Sequence, residues 1–262
     1  MSEGTVEDEQ LVLFESHDGV AVITLNRPRR RNAIDLPTAE ALAAALTELD
    51  ARDDLVVGVI TGNGPVFSAG MDLKVIAAGG PRPIVPGRGA FGIVENPPAK
   101  PLIAAVEGAA LAGGFEIALA CDLIVAADNA SFGLPEVKRG LAAAAGGAVR
   151  LPQRIPYSQA MRMILTGEPI TAQRAYELGL VVELTPPGGA LAAAKALAAS
   201  IAVNAPLAVR TSKAVIELVR GASLAEAFDR QRPLMQLIRE SADAREGAVA
   251  FAEKREPKWV GR

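Results

Sequence analysis

Cysteine and histidine are scarce in this chain of 262 residues, which has one of each. With a single cysteine, Cys121, an intrachain disulfide framework is excluded, and without a His or Cys cluster no metal site is expected. We interpret Cys121 as a small buried hydrophobic residue and His17, in the string SHDG, as a solvated turn residue. A catalytic triad built on histidine is also disfavoured, because FSAG around Ser68 lacks the first glycine of the hydrolase elbow.

A strong charge of one sign and a long hydrophobic run are also lacking. The net charge is −3, so no basic field favours nucleic acid or an anionic membrane surface. The most apolar segment, residues 117–127, contains Asp122 and is shorter than the ~20 residues needed to cross a bilayer. The N-terminal string MSEGTVEDEQ is acidic and polar, unlike a secretory signal. We therefore expect a cytoplasmic protein with neither a nucleic-acid nor a membrane partner.

What the sequence has is apolar residues, which make up 50% of the chain and are enough for one large core. Short runs rich in Val and Ile alternate with helical patterns, which is typical of strands buried on both faces of an α/β sheet. The predicted strands are LVLFE, VAVITL, LVVGVIT, PLIAAV, DLIVAA and, at 180–184, LVVEL. The helical pattern TAEALAAALTEL lies between the second and the third. The predicted fold class is therefore α/β.

Helical patterns dominate the last third of the chain. Three segments have helical spacing, namely GGALAAAKALAASIAV, PLAVRTSKAVIELV and SLAEAFDRQRPLMQLI. Ser223 and Glu226 form a capping-box pattern at the start of the third segment. The patterns predict a helical layer that either covers its own core or meets another subunit, and the sequence leaves both arrangements open.

Two glycine-rich turns lead from predicted strands towards helical patterns. TGNGPVFSAGMDLK follows the strand LVVGVIT, and EGAALAGGFE follows the strand PLIAAV. Glycine permits close approach of a ligand, and a helix N-terminus offers unpaired N–H donors, so the two turns together are suited to hold one oxygen atom. Neither turn matches the dinucleotide fingerprint or the Walker lysine motif. Each turn taken alone is better explained as a simple strand-to-helix connection.

Glu116 is the only charge in the apolar string GGFEIALAC. In the first turn of a helix it gains ~0.3–1 kcal/mol from the helix dipole. Burying an unpaired carboxylate beside Phe115 and Ile117 costs several kcal/mol unless it is hydrogen-bonded or protonated. A polar cavity is therefore the better explanation for this residue.

Glu136 follows twenty positions later in FGLPEVKRG. Taken singly, it is at least as well explained as an exposed acid that pairs with Lys138 or Arg139. If Glu116 and Glu136 face one cavity, repulsion and desolvation separate their proton affinities and leave one acid and one base at neutral pH.

These motifs together resemble the crotonase superfamily, and most closely its enoyl-CoA hydratases. The resemblance runs in order through VAVITLNRPRRRNAID, VVGVITGNGPVFSAGMDLK, KPLIAAVEGAALAGGFEIALACDLIVAADNASFGLPEVKRGL, LTGEPITAQRAYELGLVVEL and AREGAVAFAEKREPKW. It implies a crotonase (ClpP-like) fold, with a core of repeated ββα units over residues 1–200 and a helical trimerisation region over 201–262. A homotrimer, or a hexamer made of two trimers, is the implied assembly.

The resemblance also implies a reaction and its residues. The substrate is an acyl-CoA thioester whose carbonyl oxygen is held by the backbone N–H groups of Met71 and Gly113, which form an oxyanion hole. Glu116 and Glu136 match the two glutamates that hold a water above the double bond. One takes a proton from water and the other region of the pair supplies a proton to the α-carbon, so water adds reversibly to a 2-enoyl-CoA.

Further positions match family contacts to coenzyme A, which is part of the substrate, so no separate cofactor is expected. Arg29 and Arg30 are candidates for phosphate contacts, although a solvated basic turn explains them equally well. Ala69 and Lys74 flank the oxyanion loop. Phe251 and Lys254 match positions that reach the coenzyme A of a neighbouring subunit.

The chain departs from the family pattern at three places. Glu107-Gly108 replaces a common Asn-Gly, GLAAAAGGAVRL replaces a Pro and Gly-Ala-Gly-Gly turn after Glu136, and the Gly- and Pro-rich loop 77–100, a predicted pocket wall, has little match. Other reactions of the superfamily therefore stay open: double-bond isomerisation, carnitinyl-CoA dehydration and thioester hydrolysis. A non-catalytic acyl-CoA or RNA-binding scaffold is the alternative of a different class.

Overall fold

A computed structural model describes residues 10–262 of the chain. The expectation that the N-terminus is no secretory signal falls mainly on residues 1–9, which lie outside the described residues. Within residues 10–262, no single helix is long and apolar enough to span a membrane. The helices over Ala190–Ala202 and Pro206–Leu218 reach the required length and composition only as a pair, which is bent by 106°.

Within residues 10–262 the chain forms eleven strands and ten α-helices. The strands are β1 Val12–His17, β2 Val20–Leu25, β3 Val57–Gly62, β4 Ile84–Val85, β5 Gly89–Ala90, β6 Leu102–Val106, β7 Ala109–Leu111, β8 Leu123–Ala127, β9 Ser131–Gly133, β10 Ile170–Thr171 and β11 Glu183–Thr185. The helices are α1 Leu36–Ala51, α2 Leu73–Ala77, α3 Gly113–Ala120, α4 Gly147–Arg154, α5 Tyr157–Thr166, α6 Ala172–Glu177, α7 Ala190–Ala202, α8 Pro206–Leu218, α9 Leu224–Glu240 and α10 Ala242–Glu253.

The main sheet has six strands in the order β1-β2-β3-β6-β8-β11. β1 and β2 are antiparallel, and the pairs from β2 to β11 are parallel. β3, β6 and β8 are buried almost throughout, which explains their nearly unbroken apolar sequences. The five early strand predictions are confirmed, whereas LVVEL at 180–184 pairs with β8 only over Glu183–Thr185.

Helices cover both faces of this sheet. α7 packs its small buried residues Ala194 and Ala198 against one face, where Val59 and Val125 project. The larger core lies on the opposite face, where α1 and α3 bury leucine, isoleucine and phenylalanine side chains. The sheet is therefore packed on both faces, and α3 is held against one of them.

A second, three-stranded sheet in the order β10-β9-β7 positions the start of α3. β7 and β9 are parallel, with Leu111 opposite Gly133. The Ala112 amide donates to the Gly133 carbonyl (2.9 Å), which directs the chain from β7 into α3.

The C-terminal helices differ in how they contact the core. Lys213 on α8 is buried and donates to the carbonyls of Pro98 (2.8 Å) and Lys100 (3.1 Å) and to Asp122 (2.7 Å). α9 packs mainly on α8 and α10 and has no buried residue. Its predicted capping box is confirmed, because the Ser223 amide donates to Glu226 Oε2 (2.9 Å) and Ser223 Oγ accepts from the Glu226 amide (3.4 Å). The division of the chain at residue 200 stays a prediction.

The two scarce residues lie where the sequence placed them. His17 is exposed as the last residue of β1, directly before the turn at Asp18, and Cys121 is buried as a free thiol. Among residues 10–262, no group of three or more His, Cys, Asp or Glu side chains is placed to hold a metal ion.

Candidate active site

A cavity of about 280 Å³ lies where the loop after β3 meets the N-terminus of α3. Five of the predicted site residues line it: Ala69, Met71, Gly113, Glu116 and Glu136. They come from three segments that are distant in sequence, so the fold assembles the group that the motifs suggested.

The two glycine-rich turns are in direct contact at Gly70 and Gly113. Gly70 has a positive φ of 81°, and a Cβ on it would lie 2.6 Å from the Gly113 nitrogen. A Cβ on Gly114 would collide with the Ser68 carbonyl. Glycine is required at both positions because the two backbones approach too closely for a side chain.

The amides of Met71 and Gly113 are available to a ligand. Ile34 donates to the Gly70 carbonyl (2.8 Å) and accepts from the Asp72 amide (2.9 Å), and the extended backbone between them turns the Met71 N–H away from Ile34. Gly113 is the first residue of α3, so its N–H has no acceptor within the helix. No acceptor for either amide is present within residues 10–262.

Ala112, directly before Gly113, has a strained backbone with φ 49° and ψ −127°. A non-glycine residue in such a region costs about 1–3 kcal/mol and persists only where the surroundings determine it. Here its amide is bound by Gly133, and its carbonyl accepts from the Glu116 amide (3.0 Å). These two hydrogen bonds therefore hold the strained conformation of Ala112, which sets the direction of the Gly113 amide.

Phe91 supports Gly113 from the loop 77–100. A Cβ on Gly113 would collide with the Phe91 ring, which is 5% exposed. The same loop contains the short hairpin of β4 and β5 and lines the cavity with Arg82, Ile84 and Glu95. The expectation that this loop forms a pocket wall is confirmed.

Buried polar groups that sequence reasoning missed fix the loop that contains Met71. The Asn32 side chain, 1% exposed, donates to the carbonyls of Asn63 (3.0 Å) and Val66 (2.7 Å). The Asn32 carbonyl accepts from Ser68 Oγ (2.7 Å), which in turn accepts from the Gly70 amide (3.1 Å).

Arg27 anchors the other end of this loop through Asp72 (3.3 Å) and also pairs with Asp35 (2.8 Å). Asp72 is also the N-cap of α2, where it accepts from the Lys74 amide (3.2 Å). The only sequence signal for this ion-pair group was the basic string RPRRRNA, in which Arg27 is not distinguished from its neighbours.

Glu116 lies in the first turn of α3 and is 3% exposed. Its Oε1 accepts from the Gly147 amide at the start of α4 (2.9 Å). A Cβ on Gly147 would lie 3.0 Å from the same oxygen, so a small residue is needed there. The departure GLAAAAGGAVRL thus supplies a direct backbone partner for the first glutamate.

Glu136 lies in a 3₁₀ turn, Pro135–Arg139, and is half-buried. Its Oε2 is buried and has no hydrogen-bond partner among the described residues. The exposed ion pair considered above is not formed, because Lys138 pairs with Glu168 instead (2.6 Å). A buried carboxyl oxygen without a donor, facing a cavity, is suited to a water or a substrate hydroxyl.

Both glutamates bind protons more tightly than usual. Burial, with a smaller contribution from the charge of Glu136, raises the pKa of Glu116 to about 7, although the Gly147 and Ala145 amides and the charge of Arg150 lower it. Burial also raises the pKa of Glu136. Near neutral pH Glu116 is therefore close to the midpoint of its titration and can either accept or release a proton, as acid–base chemistry requires.

Glu107, the second departure from the family pattern, has a structural role. Its carboxylate accepts from the amides of Gly188 (3.0 Å) and Ala190 (2.9 Å) and so stabilises the N-terminus of α7. It does not line the cavity.

The remaining predicted residues do not line the cavity. Arg29 and Arg30 are exposed on a turn whose next residue, Arg31, accepts the Ala69 amide through its carbonyl (3.0 Å). Lys74 is exposed on α2. Phe251, which is 87% exposed, and Lys254 lie at the end of α10. Their contacts to coenzyme A stay predictions.

Comparison with known proteins identifies the family. The family described as Enoyl-CoA hydratase/isomerase matches residues 15–262. A carnitinyl-CoA dehydratase of Salmonella arizonae is 43% identical over 91% of this chain and 94% of its own. A 2,3-dehydroadipyl-CoA hydratase of Escherichia coli is 38% identical over the whole of both chains. The crystal structure of enoyl-CoA hydratase EchA1 from Mycobacterium marinum is similar, with a TM-score of 0.94, 54% identity and coverage of 97% of this chain and 100% of that one.

The chain therefore belongs to the enoyl-CoA hydratase/isomerase family and has the crotonase fold. Both predictions from the motifs are confirmed.

Proposed function

We propose that this protein is an enoyl-CoA hydratase that adds water reversibly to a 2-enoyl-CoA thioester. The observation that supports this most directly is the shared cavity, which both glutamates and both free amides line. The hydro-lyase class predicted from the sequence agrees with the names of the relatives, which are hydratases and dehydratases acting on CoA thioesters.

In the proposed reaction the thioester carbonyl oxygen accepts from the Met71 and Gly113 amides. A water held by Glu116 and Glu136 attacks the β-carbon while one glutamate, as a carboxylate, accepts its proton. The C2–C3 double-bond electrons move towards the carbonyl and form an enolate, whose negative oxygen the two amides stabilise by ~2.7–4 kcal/mol each. The protonated member of the pair then delivers a proton to the α-carbon, which yields the 3-hydroxyacyl-CoA.

The geometry favours the pair acting together. The Gly147 amide stabilises the ionised form of Glu116, whereas Oε2 of Glu136 has no donor among the described residues. A water that bridges the two carboxyl groups would satisfy that oxygen. The assignment of acid and base within the pair stays open.

Glutamine substitutions test the proposal. E116Q and E136Q keep the side-chain volume and lose the proton exchange, so each should lower kcat for hydration of crotonyl-CoA by 10²-fold or more. Binding of the acyl-CoA, measured by calorimetry, should remain within about fivefold of wild type. A scaffold that only binds acyl-CoA would show no turnover before substitution and no change after it.

The acyl group is the finer part of the proposal. Arg82, Glu95 and Arg139 also line the cavity. Apart from the glutamate pair at the reacting end, the charged lining of the cavity is two guanidinium groups and one carboxylate, so we expect a chain that ends in a carboxylate to react better than one that ends in a quaternary ammonium. Comparing kcat/KM for these two enoyl-CoAs with crotonyl-CoA tests this; a preference for the ammonium end would contradict it.

A further inference from the structure

Arg150 is a charged residue near the cavity that the motifs did not single out. It lies on α4, one turn after Gly147, and its Nη2 donates to the Val94 carbonyl (2.6 Å). It is half-buried and has no ion-pair partner within residues 10–262. A contribution to stability through a salt bridge is therefore not its role.

The contact joins two walls of the candidate site. On one side, α4 begins at Gly147, whose amide holds Glu116 (2.9 Å), and the Arg150 amide donates to the Gly146 carbonyl (2.8 Å) in the same turn. On the other side, Val94 belongs to the segment that carries Phe91 behind Gly113. One hydrogen bond thus connects α4, whose first amide binds Glu116, with the segment 91–94, which packs behind Gly113.

The Arg150 side chain is itself held in this direction. A Cβ on Gly146 would collide with Nη1 of Arg150, so the guanidinium lies directly over that glycine. Gly146 has a positive φ of 97° and is the N-cap of α4. The guanidinium therefore packs on the same turn that presents the Gly147 amide.

We propose that Arg150 is a positioning residue for the reaction: it fixes the first turn of α4 against residues 91–95 and so keeps the Gly147 amide on Glu116. Its charge also favours the ionised form of Glu116. This inference rests on the proposed hydratase function, because turnover is one of its readouts.

Other charged residues line the cavity together with Glu116 and must be kept unchanged in a test. They are Glu136 from the 3₁₀ turn and, around the cavity wall, Arg82, Glu95 and Arg139. Arg154 offers a matched control one turn further along α4. It donates to the carbonyls of Leu119 (3.3 Å) and Asp122 (2.5 Å), and with Arg150 it lines a second cavity of about 590 Å³ away from the glutamate pair.

The experiment compares R150M, R150K, R154M and wild type. R150M should lower kcat on the order of tenfold or more with KM changed less than about twofold, because a displaced catalytic group affects the reaction more than ground-state binding. Loss of the positive charge should also raise the pKa of Glu116, so the limb of the pH–rate profile that reports it should move to higher pH. R150K retains the charge but not the planar fork, so it should lower kcat while leaving that limb in place.

The pKa of Glu116 should also be measured directly, by carbon NMR of labelled glutamate with E116Q for assignment, since this readout does not need turnover. A shift to higher pH in R150M, absent from R154M, supports the inference. Equal kcat, pH profiles and Glu116 pKa values in folded R150M or R150K and R154M would overturn it. Absence of hydration in wild type would instead overturn the proposed function, while the NMR comparison would still decide the role of Arg150.

Discussion

At the scale of single residues, burying Glu116 lowers the stability of the protein, although the proposed reaction requires this carboxyl group. Its pKa is about 7 in the folded protein, against an ordinary value of 4.5, because burial disfavours the charged form. The folded protein therefore binds this proton more tightly than the unfolded chain does. As the pH rises from about 4.5 to about 7, the free energy of unfolding should fall by on the order of 3 kcal/mol because of this group.

E116Q should therefore be more stable than wild type above pH 7 and nearly equal to it at pH 4.5. Urea unfolding at both values measures this difference. E95Q is a suitable control, since Glu95 lines the same cavity but is exposed, and it should follow wild type at both values. Equal stability of E116Q and wild type at pH 8.5 would contradict the burial of a costly carboxylate.

Site residues could be predicted where a local sequence pattern marks them, and were missed where their role depends on contacts between distant parts of the chain. Glu116 was found because a lone charge in an apolar string is visible locally. Asn32 and the contact of Arg27 with Asp72 were missed because the partners, Val66 and Asp72, lie 34 and 45 positions away, and no local pattern marks such contacts. Gly147 was seen as a departure, but its role as a donor to Glu116 depends on the packing of α4 on α3.

At the scale of elements, the contact between α3 and the loop 77–100 sets the direction of an oxyanion donor. G113A should force Phe91 or the α3 backbone to move, because the added methyl group would collide with the ring. We expect kcat/KM for hydration to fall by about 10²-fold or more, as for loss of one oxyanion donor.

The control for this substitution is G247A in α10, where the added methyl group would make ordinary contact with Trp259 (3.4 Å). That variant should retain wild-type kcat/KM and thermal stability. A folded G113A protein with unchanged kcat/KM would show that the Gly113 amide does not take part.

Element prediction succeeded where the pattern was long. α8 and α9 begin and end within two residues of the helical segments read from the sequence, because several turns of periodicity accumulate. β7, β9 and β10 were not predicted, since strands of two or three residues are too short to show alternation. Those strands nevertheless direct Ala112 and Gly113 into the site.

At the scale of the whole molecule, the C-terminal helices leave much apolar surface uncovered in a single chain. Val203, Leu224 and Phe251 are 71%, 75% and 87% exposed, and α9 has no buried residue. Such a surface is typical of an interface between subunits. An interface there agrees with the trimer or hexamer that the family resemblance implies, and for that assembly native mass spectrometry should give three or six times the mass of one chain.

Phe251 tests whether the assembly completes the coenzyme A site. F251A should raise KM for crotonyl-CoA several-fold with little change in kcat, because the predicted contact is to the coenzyme A of a neighbouring subunit and not to the reacting atoms. Y157A is the control, as Tyr157 is also exposed (68%) but lies on α5. Unchanged KM in an intact F251A oligomer would remove this residue from the substrate site.

The most direct measurement of the proposed chemistry is the fate of labelled water. Crotonyl-CoA incubated with the protein in H₂¹⁸O should give 3-hydroxybutyryl-CoA with ¹⁸O on C3, and neither E116Q nor E136Q should form it at a comparable rate. Label in a free carboxylic acid would indicate thioester hydrolysis instead. A product with a moved double bond and no label, or no product from a folded protein, would contradict a water held between the two glutamates.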